Sequence, residues 1–461
     1  MNNPLSLVLL LPGLISLYFV IRGDAEKAFL RVYLPALLLL PAYYSCRLPH
    51  LLPITSAEAA MIPLAIAVMI RPPSGWRFCR LDLWVLLYMV SLSISELLHE
   101  RVMNDGIMLV LSGILSMLFP YIIGRLLIEP KLRLPTTKVF VTLILFLIPF
   151  GLYEYRMGFN PYAIIGPKLL GIIPTWGLQI RGGRARVATS FSDAELAGIA
   201  FTVILTLNWW LVQINKMDRG KESRLGKWLS KLESKHIPGI ILLALLLLTQ
   251  SRGPFLGAAL AYAILLIPKF KNTKLASIVI ASILIVGALG IHAYLQKYTS
   301  GPITYDGTMS EQQASAAYRR LLLENYAPII QEGGWLGWSY LSHPVVGNQV
   351  SIDNQFLLVQ LGQGRLGLII FILIGIETFF RLIKFTWTFK RQEDLYFAFS
   401  LLAAMAAIWS TITTVYLGEQ LPQITFLLLG WSQSLQEGVS DQNQSLATTS
   451  QAKFSFKRVF A

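Results

Sequence analysis

Residues 237–268 read IPGIILLALLLLTQSRGPFLGAALAYAILLIP. Two apolar runs, 237–250 and 254–268, flank a short turn built on Gly253 and Pro254, and Arg252 stands in that turn. A helix rises about 1.5 Å per residue, so an arm of about 14 residues reaches only about 21 Å. The hydrocarbon core of a bilayer is about 30 Å thick. The stretch therefore predicts a membrane hairpin with short arms. Unless the bilayer thins or the cytoplasmic end lies deep, its turn stays below the outer surface. An arginine at the membrane centre costs roughly 2.5–3.5 kcal/mol. One phosphate charge at 4 Å and an effective dielectric of about 20 returns about 4 kcal/mol before desolvation. Helix-end carbonyls or Glu195 would satisfy Arg252 instead, with no ligand involved.

The rest of the chain agrees with a membrane setting. Of its 461 residues 54% are hydrophobic and only 14% are charged, where a soluble domain carries about 25% charged residues. That excludes an ordinary soluble enzyme, a disordered protein and a DNA-binding domain. The 24 Phe, 18 Tyr and 11 Trp suit interfacial aromatic belts. Apolar runs of spanning character fall at 5–21, 30–45, 54–70, 83–98, 106–123, 139–155, 194–214, 237–250, 254–268, 275–294, 366–383, 394–415 and 421–435. The expectation is an all-α polytopic membrane protein with about 11 to 13 transmembrane helices, forming a single transmembrane domain over 1–436. A polar, disordered cytoplasmic tail follows at 437–461. No basic residue precedes 5–21, so this run reads as a retained span rather than a cleaved signal. No internal repeat is evident.

Sidedness follows from the basic residues. With the loop 216–236 in the cytoplasm, strict alternation puts 27 of the 39 Lys and Arg on that side. Cys46 and Cys79, the only cysteines, then fall on opposite faces, which argues against a disulfide. Two long external segments remain, 156–193 and 295–365, and long loops on a polytopic protein carry function more often than not.

These segments are rich in arginine where basic residues are normally scarce. Arg156, Arg181, Arg184, Arg186, Arg319, Arg320 and Arg365 lie in them or at their rims. Arginine forks onto phosphate and keeps its charge when partly dehydrated. Their clustering predicts a specific external anion. In RGGRARVATSFSDAELAGIAF, Ser192 and Glu195 have the spacing of a capping box at the start of the span 194–214. Arg184 and Arg186 lie just upstream, beside a helix N-terminus that favours anions. Arg319 and Arg320 open an amphipathic external helix. Asp353 and Asn354 begin the next apolar run, with Asp353 either a helix N-cap or a carboxylate facing a substrate hydroxyl. His343 reads as incidental. Glu96 and Glu154 sit at predicted span ends, where snorkelling accounts for them, and Glu58 and Glu377 are scattered. There is no zinc-type Cys/His cluster, HExxH, P-loop, GxSxG or D-x-D. A nucleotide- or metal-dependent reaction is disfavoured, and no cofactor is expected.

Three stretches together, RARVATSFSDAELAG, TQSRGPFLGAALA and IDNQFLLVQLGQGRLGLIIF, resemble the O-antigen ligase and polymerase family of bacterial surface-glycan assembly. The likeness spans roughly 180–385. It implies a membrane glycosyltransferase fold of the C type (GT-C). It also implies action on the external face of the bacterial inner membrane, on undecaprenyl-diphosphate-linked oligosaccharide, without metal or nucleotide. Flippase and chain-length regulator proteins would be neighbours, and nucleic acid would not be a partner. By motif match, the diphosphate-contacting arginines fall on Arg252 and on Arg186 or Arg184, with Arg319 and Arg320 as a further basic pair. Ligases that act on lipid A-core carry a histidine beside the asparagine of the last motif. Here that place is Asp353, which favours a polymerase reading. Either Asp353 would act as base or the enzyme would rely on diphosphate departure and positioning, and Asn354 would position a sugar hydroxyl. A transporter of lipid-linked glycan is the rival, and it lacks the repeated halves usual in that class.

Overall fold

The computed structural model describes residues 4–47, 52–73, 76–99, 103–217, 237–283, 311–346, 351–389 and 391–435. Most of the loop 216–236, the stretch 295–310 and the tail 437–461 lie outside the described residues. The described chain is almost wholly helical. Its strands are two tiny antiparallel hairpins, Ser45–Cys46 with Ile54–Thr55 and Ile180–Arg181 with Arg184–Ala185. Seven helices are long and apolar enough to cross a membrane, and Ser56–Ile70, Ile237–Leu248 and Thr273–Ile283 are shorter apolar helices. The protein is an all-α multi-pass membrane protein.

The first half contributes α1 (Leu11–Ile21), α2 (Leu34–Leu39), α3 (Ser56–Ile70) and α4 (Arg80–His99). It continues with α5 (Met103–Gly113), α6 (Phe119–Leu126), α7 (Pro130–Phe146) and α8 (Ile148–Met157). The second half contributes α9 (Ala194–Met217), α10 (Ile237–Leu248), α11 (Arg252–Leu266) and α12 (Glu311–Gly333). It ends with α13 (Gln355–Thr388), α14 (Gln392–Thr411) and α15 (421–435). The core sits where α14 packs against α9 and α11, and α13 packs against α4. Trp210, Phe397 and Trp431 stack there, with ring centroids 4.6 and 5.1 Å apart. Lipid tails give helices no hydrophobic reason to pair, so close approach at small residues does that work. A side chain at Gly124 would fall 2.1 Å from the Leu427 carbonyl oxygen, and one at Gly430 would fall 2.1 Å from that of Tyr121.

The two ends of the bundle differ in character. At one end, the loops that the charge pattern assigns to the cytoplasm are tied to one another. Lys131 pairs with Glu26 at 2.9 Å, Arg133 with Asp394 at 2.9 Å, and Arg125 donates to the Arg77 carbonyl at 3.0 Å. At the other end, the segment 158–193, the α10–α11 turn, the start of α13 and the loop after α14 come together. Four described non-glycine residues have left-handed backbones: Thr189, Gln250, Ser339 and Glu419, with φ of 52°, 51°, 71° and 54°. Each lies in one of the loops of this second end. Such conformations cost of order 1–3 kcal/mol and gather at functional sites.

Helix α13 is broken in its first third. Gly364 has φ 68° and ψ −163°, outside helical space. The loop after α12 fills the break. Trp338 and Ser339 donate their amides to the Leu361 and Gly362 carbonyls at 2.8 and 3.0 Å, and Arg365 donates to the Gly334 carbonyl. Ser95 on α4 also donates to Gly362. The backbone groups freed by the break find partners in the inserted loop and in Ser95.

Candidate functional site: an arginine cluster at one end of the bundle

The α10–α11 turn is built as the sequence predicts, and α11 begins at Arg252. Arg252 is exposed and makes no hydrogen bond or ion pair among the described residues. Neither helix-end carbonyls nor Glu195 satisfies it. It stands at the positive end of α11, where free amides and the helix dipole add to its charge.

Arg186 is its opposite in every respect. It is buried, and its guanidinium is fully engaged. Nε donates to the Thr249 carbonyl at 3.1 Å, and one terminal nitrogen donates to Gln179 Oε1 at 2.8 Å. The other donates to Ser251 Oγ at 2.7 Å and lies 3.4 Å from Glu195. Arg186 thus locks the segment before α9 onto the turn that carries Arg252. It also walls a cavity of about 220 Å³ shared with Tyr43, Trp176, Gln179 and Ser192.

The remaining predicted residues divide. Arg319 reaches the Thr414 carbonyl at 3.5 Å and belongs to the cluster. Arg320 pairs with Glu324 along α12 at 3.4 Å. The helix containing them is already formed at Glu311, so they lie within it rather than opening it. Arg184 is exposed, bonded to the Tyr155 hydroxyl at 2.6 Å and set over its ring at 5.3 Å. Arg181, from the same hairpin, donates to the Gln250 carbonyl instead. Its proton affinity is lowered by burial and then by Arg186, with Arg252 and Arg319 contributing. Four arginines therefore crowd one space.

Asp353 faces that space. The cap of α13 is Asn354, whose side chain accepts the Leu357 amide at 3.1 Å, so Asp353 is released from capping. It accepts the Ser351 hydroxyl at 2.9 Å. Burial pushes its carboxyl above the usual carboxylate range. The Ser351 hydrogen bond, Arg319 and Arg186 oppose that shift, and Asp193 adds to it. His343 is exposed, with its ring against the Tyr340 carbonyl at 2.9 Å.

Three local expectations are corrected. The start of α9 is capped by Asp193, which accepts the Glu195 amide. The Ser192 hydroxyl makes no capping bond, and the Glu195 carboxylate turns to Arg186. Glu96 and Glu154 do not snorkel, for both are 2% exposed. Glu154 accepts the Ala188 and Thr189 amides at 3.0 and 2.8 Å, and Glu96 accepts the Ser339 hydroxyl at 2.7 Å and the Tyr340 amide at 3.1 Å. Each clasps a loop that has left-handed backbone. Among the described residues no group of His, Cys, Asp and Glu has the arrangement of a metal site.

Residues 237–372 match the family model described as O-antigen ligase. The likeness to the O-antigen ligase and polymerase family thus holds over under a third of the chain. The matched segment carries Arg252, Arg319, Arg320, Asp353 and Asn354, and leaves Arg184 and Arg186 outside. None of the curated proteins matches the chain. That similarity supports the ligase/polymerase kind of protein. Sequence reasoning did not single out Gln179, Asp193, Ser251 or Glu419. Gln179 and Glu419 lie in loops outside the quoted motifs, Asp193 and Ser251 lie inside them without a distinguishing signal, and only tertiary contact gives the four a place.

Proposed function

We propose that the protein is a polymerase that joins undecaprenyl-diphosphate-linked oligosaccharide repeat units on the periplasmic face of the inner membrane, on a GT-C-type fold. The observation that carries this reading is Arg252, exposed and unpaired among the described residues, beside the engaged Arg186. A free arginine at a helix N-terminus, with Arg181 and Arg319 at hand, is a receptor for a diphosphate. The acceptor hydroxyl oxygen attacks the anomeric carbon of the donor glycan. The bond from that carbon to the diphosphate oxygen breaks, and undecaprenyl diphosphate leaves with the electron pair. Asp353 takes the hydroxyl proton, and attack opposite the diphosphate inverts the anomeric centre. Negative charge grows on the leaving group, so fixed arginines lower the barrier more than they tighten ground-state binding. No metal is needed where guanidinium groups supply that charge.

An apolar groove of about 610 Å³ follows α11 from Phe255 to Leu265, between α9 and α10. It begins one turn from Arg252 and gives a polyprenyl chain an apolar bed. The second reading is a ligase transferring the glycan to lipid A-core, which the description of the matching family favours. The two separate in one assay, with purified protein and undecaprenyl-diphosphate repeat unit as sole substrate. A ladder of lengthening glycans is expected. A single unextended unit, across repeat units of several sugar types, would overturn the polymerase reading in favour of the ligase.

A further inference from the structure

A second polar cavity, of about 270 Å³, opens at the same end of the bundle, between α3, α4, α5 and the break in α13. Its lining includes Glu58, Tyr88, Glu96, Gln355, Gln363 and Glu419. Several of these groups are spent on the scaffold. Glu58 closes a capping box with Thr55, Glu96 clasps the 339–340 turn, and Gln355 accepts the Leu417 amide at 2.7 Å. Two are not accounted for in that way. Gln363, 5% exposed, has a side-chain oxygen without a hydrogen-bond partner among the described residues. The Tyr88 side chain neighbours that of Gln363. A buried unpaired amide oxygen costs about 1–3 kcal/mol unless something occupies the space before it. Glu419 holds a left-handed backbone that puts its carboxylate at the cavity wall, near the Thr175 and Ser192 hydroxyls.

We propose that this cavity is the subsite for the terminal sugar of the acceptor glycan, with Gln363 and Glu419 its specificity-determining contacts. Sugar hydroxyls donate and accept at once, and carboxamide and carboxylate groups pair with them. Tyr88 and Tyr340 in its lining offer aromatic surface to the apolar face of a ring. The cavity borders the arginine cluster, since Ser192, beside its Glu419, lines the cavity of Arg186. Gln355 lines the Gln363 cavity two residues after Asp353. Asp193 and Glu419 both act on Tyr416, and Glu419 and Glu96 both act on Tyr340. A sugar held there presents a hydroxyl toward Asp353. The scaffold duties of Glu58, Glu96 and Gln355 keep the cavity open rather than compete for its contents.

This inference rests on the glycan-transfer reading, and two probes separate their failures. One is undecaprenyl diphosphate bearing no sugar. The other is the lipid-free repeat-unit oligosaccharide prepared from the producing cell's surface polysaccharide. Both are titrated onto the full-length protein in nanodiscs. Gln363→Ala, and Ser112→Leu, which fills the cavity from α5, are each expected to weaken oligosaccharide binding about tenfold and leave undecaprenyl diphosphate unaffected. Arg252→Ala is expected to do the reverse. Wild-type oligosaccharide affinity in both cavity variants, or no oligosaccharide binding by the wild type, overturns the acceptor subsite. Loss of the underlying reading looks different, because undecaprenyl diphosphate then fails to bind or ignores Arg252→Ala. Should Gln363→Ala fail to fold, Ser112→Leu and Glu419→Gln carry the same test.

Discussion

Arg186 donates to Ser251 Oγ at 2.7 Å, and Ser251 is the residue immediately before Arg252. One arginine is thus a strut and the next is the presented charge. The strut is held by hydrogen bonds to the turn, and the other guanidinium has no partner among the described residues.

Arg252→Ala is expected to lower the rate of glycan transfer about 10²–10³-fold, the usual loss for one donor to a developing anion. Its side chain has no partner among the described residues, so the melting temperature in detergent should stay near wild type. An unchanged rate at normal protein levels would remove Arg252 from the site.

Arg186→Ala should lose both activity and stability. It strands the Thr249 carbonyl, Gln179, Ser251 and Glu195 together. Each stranded buried polar group costs about 1–3 kcal/mol. Arg186→Lys should recover little, because a single ammonium cannot reproduce the fork. Thermal unfolding of both variants beside Arg252→Ala separates strut from ligand contact.

Asp353 predicts a pH dependence. Its carboxyl is held above the ordinary range by burial, against Ser351, Arg319 and Arg186 and with Asp193. As a base it works only when deprotonated, so activity should fall on the acid side at a pH higher than an unperturbed carboxylate would give. Stability runs the other way. With the folded-state pKa above the unfolded one, the native state holds the proton more tightly, and that advantage fades as pH rises between the two values. Asp353→Asn should abolish the acid limb of the rate profile. An acid limb that survives the substitution assigns the base elsewhere.

Asn354→Ala should cost about 1 kcal/mol through loss of the α13 cap, and Asn354→Asp should restore it. If Asn354→Asp is stable yet inactive, Asn354 also touches substrate. Activity that simply follows stability in both variants leaves it a cap.

Gly364→Ala places a side chain 2.4 Å from the Gly337 amide nitrogen at a left-handed backbone position. The break in α13 and the inserted loop cannot both persist. The expected result is a fall in melting temperature and increased proteolysis of the loop after α12, where a tolerant helix interior would show neither.

The sequence by itself determined the class. Apolar runs of spanning length permit only helices in lipid, because every backbone group must be satisfied within its own segment. The sidedness expected from the basic residues rests on the same kind of local reading, loop by loop. The arginine of TQSRGP could be picked out because an uncompensated charge at that depth is costly wherever the chain folds. What only tertiary structure decided is which arginine is used and which is offered. Arg184 and Arg186 differ by two positions in a hairpin, and nothing local says that one lies exposed over Tyr155 while the other threads between Thr249 and Glu195. The duties of Glu96 and Glu154, the release of Asp353 by Asn354, and the cavity at Gln363 all depend on contacts between segments far apart in the chain. Spacing within one segment carries no information about which loop will arrive from another, and that pairing is where the chemistry of this end of the bundle was set.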